Sequence, residues 1–114
     1  MRKVLVANLE QGRPTANQAL LQLDFELTQA RRAGAAVLKV IHGYGSTGVG
    51  GVLREAVQAA LREMVTQQKV RGFVPGEDWR VSNRAAWEMQ RSIPELKRDR
   101  DLGRANRGIS MVLL

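Results

Sequence analysis

A histidine followed by a glycine-rich stretch is the feature of this sequence best suited to chemistry. His42, the only histidine in the chain, comes directly before residues 43–51, of which five are glycine. Arg54 follows at the start of a renewed apolar periodicity. Glycine lets backbone approach a ligand closely, and the free N–H groups at a helix N-terminus favour anions. The pattern therefore predicts a phosphate-binding loop between a strand and a helix, with His42 and Arg54 beside it.

Three roles for His42 remain open from the sequence. The ring can be a structural hydrogen-bonding group of the loop, a contact to phosphate or base, or an acid–base catalyst. A general base needs an orienting partner, and Glu10 is the only acidic candidate nearby. Tyr44, between two glycines, is the aromatic residue best placed to stack on a base, whereas Trp79 and Trp87 are predicted to lie in the core.

Strands and helices must position these residues. Apolar runs at 4–9 and 37–41 predict two strands, and Thr15 with Gln18 forms a capping box that starts a helix between them. A strand, a helix and a strand of this length predict a parallel βαβ unit, so Glu10 and Arg13 should lie near residues 42–51. A second helix to about residue 65 and a short strand at 70–74 favour a second crossover unit.

The remaining sequence predicts a short helix and a final strand. Residues 83–89 favour a helix that Pro94 prevents from extending far, and the apolar residues 109–114 predict a strand. Residues 97–108, with five basic and two acidic side chains, are predicted to form a loop. This loop is either a solvated surface or a nucleic-acid-binding arm, with Arg104 and Arg107 as candidate contacts.

Composition restricts the function classes. The 114 residues suffice for one domain, contain no cysteine, and include no apolar run long enough to span a membrane. A disulfide framework, a thiolate metal site and a histidine-rich metal site are thereby excluded. The net charge is +7, and 14 of the 18 basic residues are arginine. This composition favours a polyanionic partner; the alternative explanation is that the arginine content reflects a GC-rich genome. We expect a cytoplasmic protein with no membrane partner.

A nucleotide-binding module is a further alternative. Residues 43–48 match the dinucleotide pattern G-x-G-x-x-G between a predicted strand and a predicted helix. The third strand, however, carries no acidic residue for a ribose before Glu77. A P-loop requires Lys and Ser or Thr where this chain has Gly51 and Val52. The match is therefore weak evidence for a small nucleotide.

The central motif resembles the Smr (small MutS-related) domain family. The residues Ile41-His42-Gly43-Tyr44-Gly45, followed by Leu53-Arg54, are similar to its His-Gly-x-Gly and Leu-Arg signature. The capped first helix and the ending at 106–114 are similar too. The resemblance implies an α/β fold: a two-layer βαβαββ sandwich with a mixed four-stranded sheet and two main helices on one face. A short extra helix within residues 76–104 is expected to be an insertion before the last strand.

The resemblance also implies nucleic-acid binding and, in many members, DNA nicking or RNA cleavage. Members usually carry Leu-Asp-Leu-His-Gly at the end of the first strand, where this chain has Asn8-Leu9-Glu10-Gln11-Gly12 and lacks both the Asp and the His. We therefore expect residues 1–114 to form one Smr-like domain that binds the phosphate backbone of RNA or structured DNA. The alternative is a divergent endonuclease using His42 with Glu10. A divalent metal is expected only in that case, and no other cofactor.

The expected nucleic-acid contacts are the backbone amides of three glycines and six side chains. They are Gly43, Gly45, Gly48, His42, Tyr44, Arg54, Arg13, Arg104 and Arg107.

Overall fold

The computed structural model describes residues 3–44 and 49–114. Its strands are β1 (Lys3–Asn8), β2 (Ala35–Ile41), β3 (Gly72–Pro75) and β4 (Ile109–Leu113). Its α-helices are α1 (Ala16–Arg32), α2 (Val49–Thr66) and α3 (Arg84–Ser92), with short 3-10 turns at Gly76–Asp78 and Pro94–Arg98. The predicted element order is confirmed, with boundaries that differ by a few residues.

Helix α1 begins at the predicted capping box. The Thr15 hydroxyl accepts a hydrogen bond from the Gln18 backbone N–H, and the Gln18 side chain accepts one from the Thr15 N–H. Both bonds satisfy donors that a helix N-terminus otherwise leaves without partners. The helix stops before Gly34, whose φ of +74° suits a residue without a Cβ. Its buried side chains recur every three or four residues, at Ala19, Leu23, Leu27 and Ala30.

The four strands form one mixed sheet in the order β1-β2-β4-β3. β1 and β2 are parallel, which confirms the predicted βαβ unit, and β4 is antiparallel to both of its neighbours. β3 therefore runs in the same direction as β2, but β4 lies between them. The second predicted crossover thus connects two strands that are not adjacent.

Helices α1 and α2 cover one face of the sheet. Leu38 and Val40 of β2 point to this face, because side chains alternate along a strand. They pack with Leu23 and Leu27 of α1 and with Leu61 of α2 in an entirely apolar cluster. Each large aliphatic side chain buried there contributes roughly 1.5–3 kcal/mol to folding. This arrangement matches the expected fold class, with two main helices on one face.

Residues 76–104 pack on the opposite face. Val37 and Met111, which point away from α1 and α2, contact a second cluster of buried side chains contributed by this segment. Its members from the segment are Trp79, Ala86, Met89, Ile93 and Leu96. The sequence indicated an insertion here but not which side of the sheet it would cover.

The two tryptophans differ in their environments. Trp79 is fully buried, as predicted, and its indole Nε1–H donates to Asp99 Oδ2 at 3.0 Å. The prediction that Trp87 lies in the core was wrong, since 41% of this residue is exposed. Helix α3 buries Ala86, Met89 and Gln90, and Trp87 falls outside this stripe of i, i+3 and i+4 positions. Among the described residues, no helix has the length and apolarity that a membrane span requires.

Candidate functional site

The carboxyl ends of β1 and β2 meet at one edge of the sheet. Asn8 pairs with Ile41 at the end of the parallel ladder, and the Leu9 N–H donates to the Ile41 carbonyl at 2.8 Å. Glu10 follows directly, so it lines the same groove as Gly43 and Tyr44. The predicted convergence of the two strand ends is therefore confirmed.

His42 is completely buried behind this edge. Its Nδ1 lies 2.7 Å from the Gly43 carbonyl oxygen and its Nε2 lies 2.9 Å from Ser110 Oγ on β4. A carbonyl can only accept, so Nδ1 carries the proton and the Ser110 hydroxyl donates to Nε2. Both ring nitrogens are thus occupied by the protein itself, and Glu10 is not a hydrogen-bond partner of the ring. Of the three roles that the sequence left open for His42, this geometry fits that of a structural hydrogen-bonding group of the loop.

Burial also fixes the charge of this ring. Desolvation lowers the pKa of His42 below its ordinary value, and the nearby Arg54 guanidinium lowers it further. The hydrogen bond to the Gly43 carbonyl and the carboxylates of Glu77 and Glu10 act in the opposite direction without overcoming the burial. The imidazole is therefore neutral near pH 7, and in this form Nδ1 donates to the Gly43 carbonyl while Nε2 accepts from the Ser110 hydroxyl.

Gly43 and Tyr44 begin the glycine-rich loop and are held against the start of β4. The backbone N–H groups of His42 and Gly43 both donate to the Gly108 carbonyl, at 2.9 and 3.0 Å. The Gly43 amide, predicted to hold phosphate, is therefore already used inside the protein. Tyr44 is 55% exposed, as a stacking residue must be. The predicted contacts of Gly45 and Gly48 fall outside the described residues.

Glycine at position 108 leaves room for this contact. A Cβ at this position would lie 3.3 Å from Tyr44 Cδ1 and 3.1 Å from Asn106 Oδ1. The Tyr44 ring consequently rests against bare backbone. Because the Asn106 side chain also accepts a hydrogen bond from the Gly108 N–H at 2.8 Å, the turn that supports the ring is itself fixed.

Arg54 lies in the first part of α2 but is paired with an acidic residue. Its guanidinium donates to the Glu77 carboxylate in the 3-10 turn after β3, and both side chains are about one-quarter exposed. This ion pair links α2 to the segment on the other face of the sheet. The predicted phosphate contact would therefore have to compete with Glu77 for the same guanidinium.

Three predicted arginines remain on the surface around this edge. Arg13 is exposed in the turn after β1, where its φ of 50° and the hydrogen bond from its N–H to the Glu10 carbonyl define a tight bend. Arg104 and Arg107 are exposed in the turns before β4, on either side of Asn106. Arg13 thus lies in the turn that begins at Glu10, and Arg104 and Arg107 lie in the segment that contributes Asn106 and Gly108 to the groove.

A buried lysine is the main feature that sequence reasoning missed. Lys39, in the middle of β2, is 6% exposed and lies 2.8 Å from Asp99 and 2.5 Å from Asp101. Burial alone would raise the pKa of Asp101, but hydrogen bonds from Lys39 and Asn106 outweigh it and lower this pKa below its ordinary value. The available signal was a lysine within the apolar run of β2 and a pair of acids in the polar stretch at 97–108.

Metal ligands are sparse near this edge. Within residues 3–44 and 49–114, no three histidine, aspartate or glutamate side chains are arranged so that they could hold a metal ion.

Known proteins resemble this chain at the levels of sequence and fold. The family model of the Smr domain matches residues 12–83. Endonuclease MutS2 of Thermus thermophilus is 36% identical over 63 residues, which is 55% of this chain but only 8% of that protein. The crystal structure of the Smr domain of Thermus thermophilus MutS2 superposes with a TM-score of 0.59 at 25% identity. That match covers 96% of this chain and 95% of the solved domain.

Proposed function

Because this chain belongs to the Smr domain family, we propose that it binds nucleic acid, RNA or structured DNA, mainly through the phosphate backbone. The proposal combines the family with the charge of the chain. A net charge of +7, most of it from arginine, suits a polyanion because the guanidinium fork matches phosphate oxygens. The full-length MutS2 relative is named an endonuclease, and this chain matches only a small part of it.

One observation carries the proposal. Arg13, Arg104 and Arg107 are exposed in two turns, one beginning at Glu10 and the other ending at Gly108, whose carbonyl accepts from the start of the glycine-rich loop. The buried His42 and the paired Arg54 support this edge from behind. Backbone amides of Gly45 and Gly48 remain predicted contacts.

The salt dependence of binding tests the proposal. Fluorescence anisotropy with labelled RNA and DNA at two salt concentrations should show affinity falling steeply as salt rises, since each neutralised phosphate contributes a slope of about −0.7 to −0.9 in log K against log salt. The double variant Arg104→Gln/Arg107→Gln should reduce that slope by about 1.5. Binding to none of these ligands, or binding that ignores salt, would contradict the proposal.

A matched control separates local contacts from net charge. Arg62 on α2 and Arg84 on α3 are also exposed, and neither lies in the turns around Tyr44. The double variant Arg62→Gln/Arg84→Gln removes two positive charges, as many as Arg104→Gln/Arg107→Gln does. We expect this control to retain nearly the affinity and the salt slope of the wild type.

Endonuclease activity is a second candidate, favoured by the name of the MutS2 relative. The buried His42 ring would have to leave both hydrogen bonds to act as a base, whereas Glu10 is an exposed carboxylate beside the groove. Supercoiled DNA and RNA incubated with wild type and Glu10→Gln test this candidate. Glu88→Gln, an exposed carboxylate on α3, is the control. Cleavage that is equal in all three proteins would remove Glu10 from the chemistry.

A further inference from the structure

A groove of about 700 Å³ lies on the face of the sheet that residues 76–104 cover only in part. Its floor includes Val6 of β1 and Ile41 of β2. Val6 is 59% exposed, because the insertion packs over the other strands and leaves this part of β1 open. The size is in the range of pockets that hold small molecules or a single nucleotide.

Charges inside the groove balance one another. Glu10 and Asp101 line it together with Lys39 and Arg100, so the lining carries two formal charges of each sign. Lys39 and Asn106 already engage the Asp101 carboxylate. A phosphate inside the groove would meet the exposed Glu10 carboxylate as well as Arg100, and it would find Lys39 already paired. A neutral group with hydrogen-bonding edges fits this lining better than an anion does.

One wall of the groove is aromatic. The Tyr44 ring lies against Gly108, and more than half of the residue is open to solvent. Asn106 lines the groove beside this ring, and its Nδ2 donates one of its two hydrogens to Asp101 at 2.9 Å. A planar ligand with a polar edge would therefore find a stacking surface and a fixed amide group in the same groove.

Further positive charge lies beside the groove, in addition to Lys39 and Arg100 of its lining. Arg104 and Arg107 are exposed on the same turn segment that contributes Asn106 and Gly108 to the lining. A nucleic-acid chain can therefore place phosphates beside these arginines while a base enters the neutral groove.

We propose that this groove receives an unpaired base of single-stranded nucleic acid, stacked on Tyr44, while Arg104 and Arg107 hold the adjacent phosphates. This inference rests on the proposed nucleic-acid binding and narrows its substrate class. In a duplex the bases are paired and stacked on one another, so they cannot enter a side pocket without being extruded. The protein should therefore prefer single-stranded segments, loops or ends.

The experiment compares one labelled RNA strand with the same strand annealed to its complement. Tyr44→Ala should weaken binding of the single strand by about 5- to 150-fold, the range that corresponds to losing one base–aromatic stack. Binding of the duplex should change little, and Tyr44→Phe should retain the wild-type affinity for both. A 2-aminopurine base in the single strand should lose fluorescence on binding to wild type but not to Tyr44→Ala.

Phe25→Ala is the matched control. Phe25 is 54% exposed, almost the same as Tyr44, but it belongs to α1 on the opposite face of the sheet. Because both residues are exposed, the variants should melt at nearly the wild-type temperature. Equal losses on single strand and duplex, or no loss with Tyr44→Ala, would overturn the groove assignment while leaving backbone binding intact. If the wild type binds neither form, both proposals fail.

Discussion

The two faces of the sheet are covered in different ways. On one face α1 and α2 form a continuous apolar cluster with Leu38 and Val40. On the other, residues 76–104 add an apolar cluster around Trp79 but are also attached by polar groups, through Lys39 to Asp99 and Asp101. The helical face is closed, whereas the second face leaves Val6 exposed and the groove open. The comparison indicates that both faces contribute to stability, whereas the proposed binding surface lies only on the second face.

Breaking the Lys39 cluster should have the largest effect. Lys39→Met leaves two adjacent carboxylates without their cation in a largely buried site, so we expect a loss of about 3–5 kcal/mol in the free energy of unfolding. Urea denaturation measures it. The triple variant Lys39→Met/Asp99→Asn/Asp101→Asn should recover much of the loss. If the single variant is as stable as wild type, the insertion is held by its apolar contacts alone.

Leu23→Ala makes the corresponding change on the helical face. Leu23 is fully buried, so the expected loss in unfolding free energy is about 2–5 kcal/mol. Because the groove lies on the other side of the sheet, the folded variant should bind RNA as wild type does. Lys39→Met, in contrast, should also weaken RNA binding, since Asp101 and Asn106 lose a fixed position. Equal effects of the two variants on binding would remove the proposed division between the faces.

Acidification should lower the free energy of unfolding through His42 before it protonates the carboxylates. The folded-state pKa of His42 is lowered, so the unfolded chain takes up a proton first as pH falls below about 6.5. The contribution of the neutral His42 ring to stability should therefore be fully present above that pH. Below it, the free energy of unfolding should fall by at most about 1.4 kcal/mol per pH unit until the ring also protonates in the folded protein. The free energy of unfolding measured between pH 7 and about 5 tests this. A His42→Asn variant should lack this slope, and an unchanged slope would point to another titrating group.

The Arg54–Glu77 pair should give the smallest effect. Glu77→Gln removes the charge that neutralises Arg54, so RNA affinity should rise by a few-fold and the salt slope should steepen by less than about 1. Asp78→Asn is the control, because it makes the same charge change one residue away, where the partner Arg80 is half exposed. If both variants bind RNA equally well, Arg54 is not a contact and the gain reflects net charge.

Local sequence signals predicted most of the fold. The capping box at Thr15 and Gln18, the periodicity of α1 and the apolar strands depend on residues close together in the chain, so they could be recognised without the structure. The convergence of Glu10 with Tyr44 followed from the parallel βαβ unit alone.

The site depends on distant pairs that no local pattern reveals. His42 meets Ser110 across 68 positions, and Lys39 meets Asp99 across 60. The sequence could name His42 as important but could not show that its ring is buried, because that depends on β4. Arg54 was a candidate phosphate contact for the same reason, since Glu77 reaches it only when the insertion is folded.

The position of β4 makes the proposed binding edge depend on the complete sheet. β4 lies between β2 and β3, and Gly108 at its start accepts the hydrogen bonds that anchor residues 42 and 43. Without β4 in the sheet, β3 has no neighbouring strand, one edge of β2 stays unpaired, and the His42 ring lacks Ser110. A partly unfolded chain that lacks β4 pairing would therefore also lack the support for Gly43 and Tyr44, so ligand recognition at this edge should require the complete sheet.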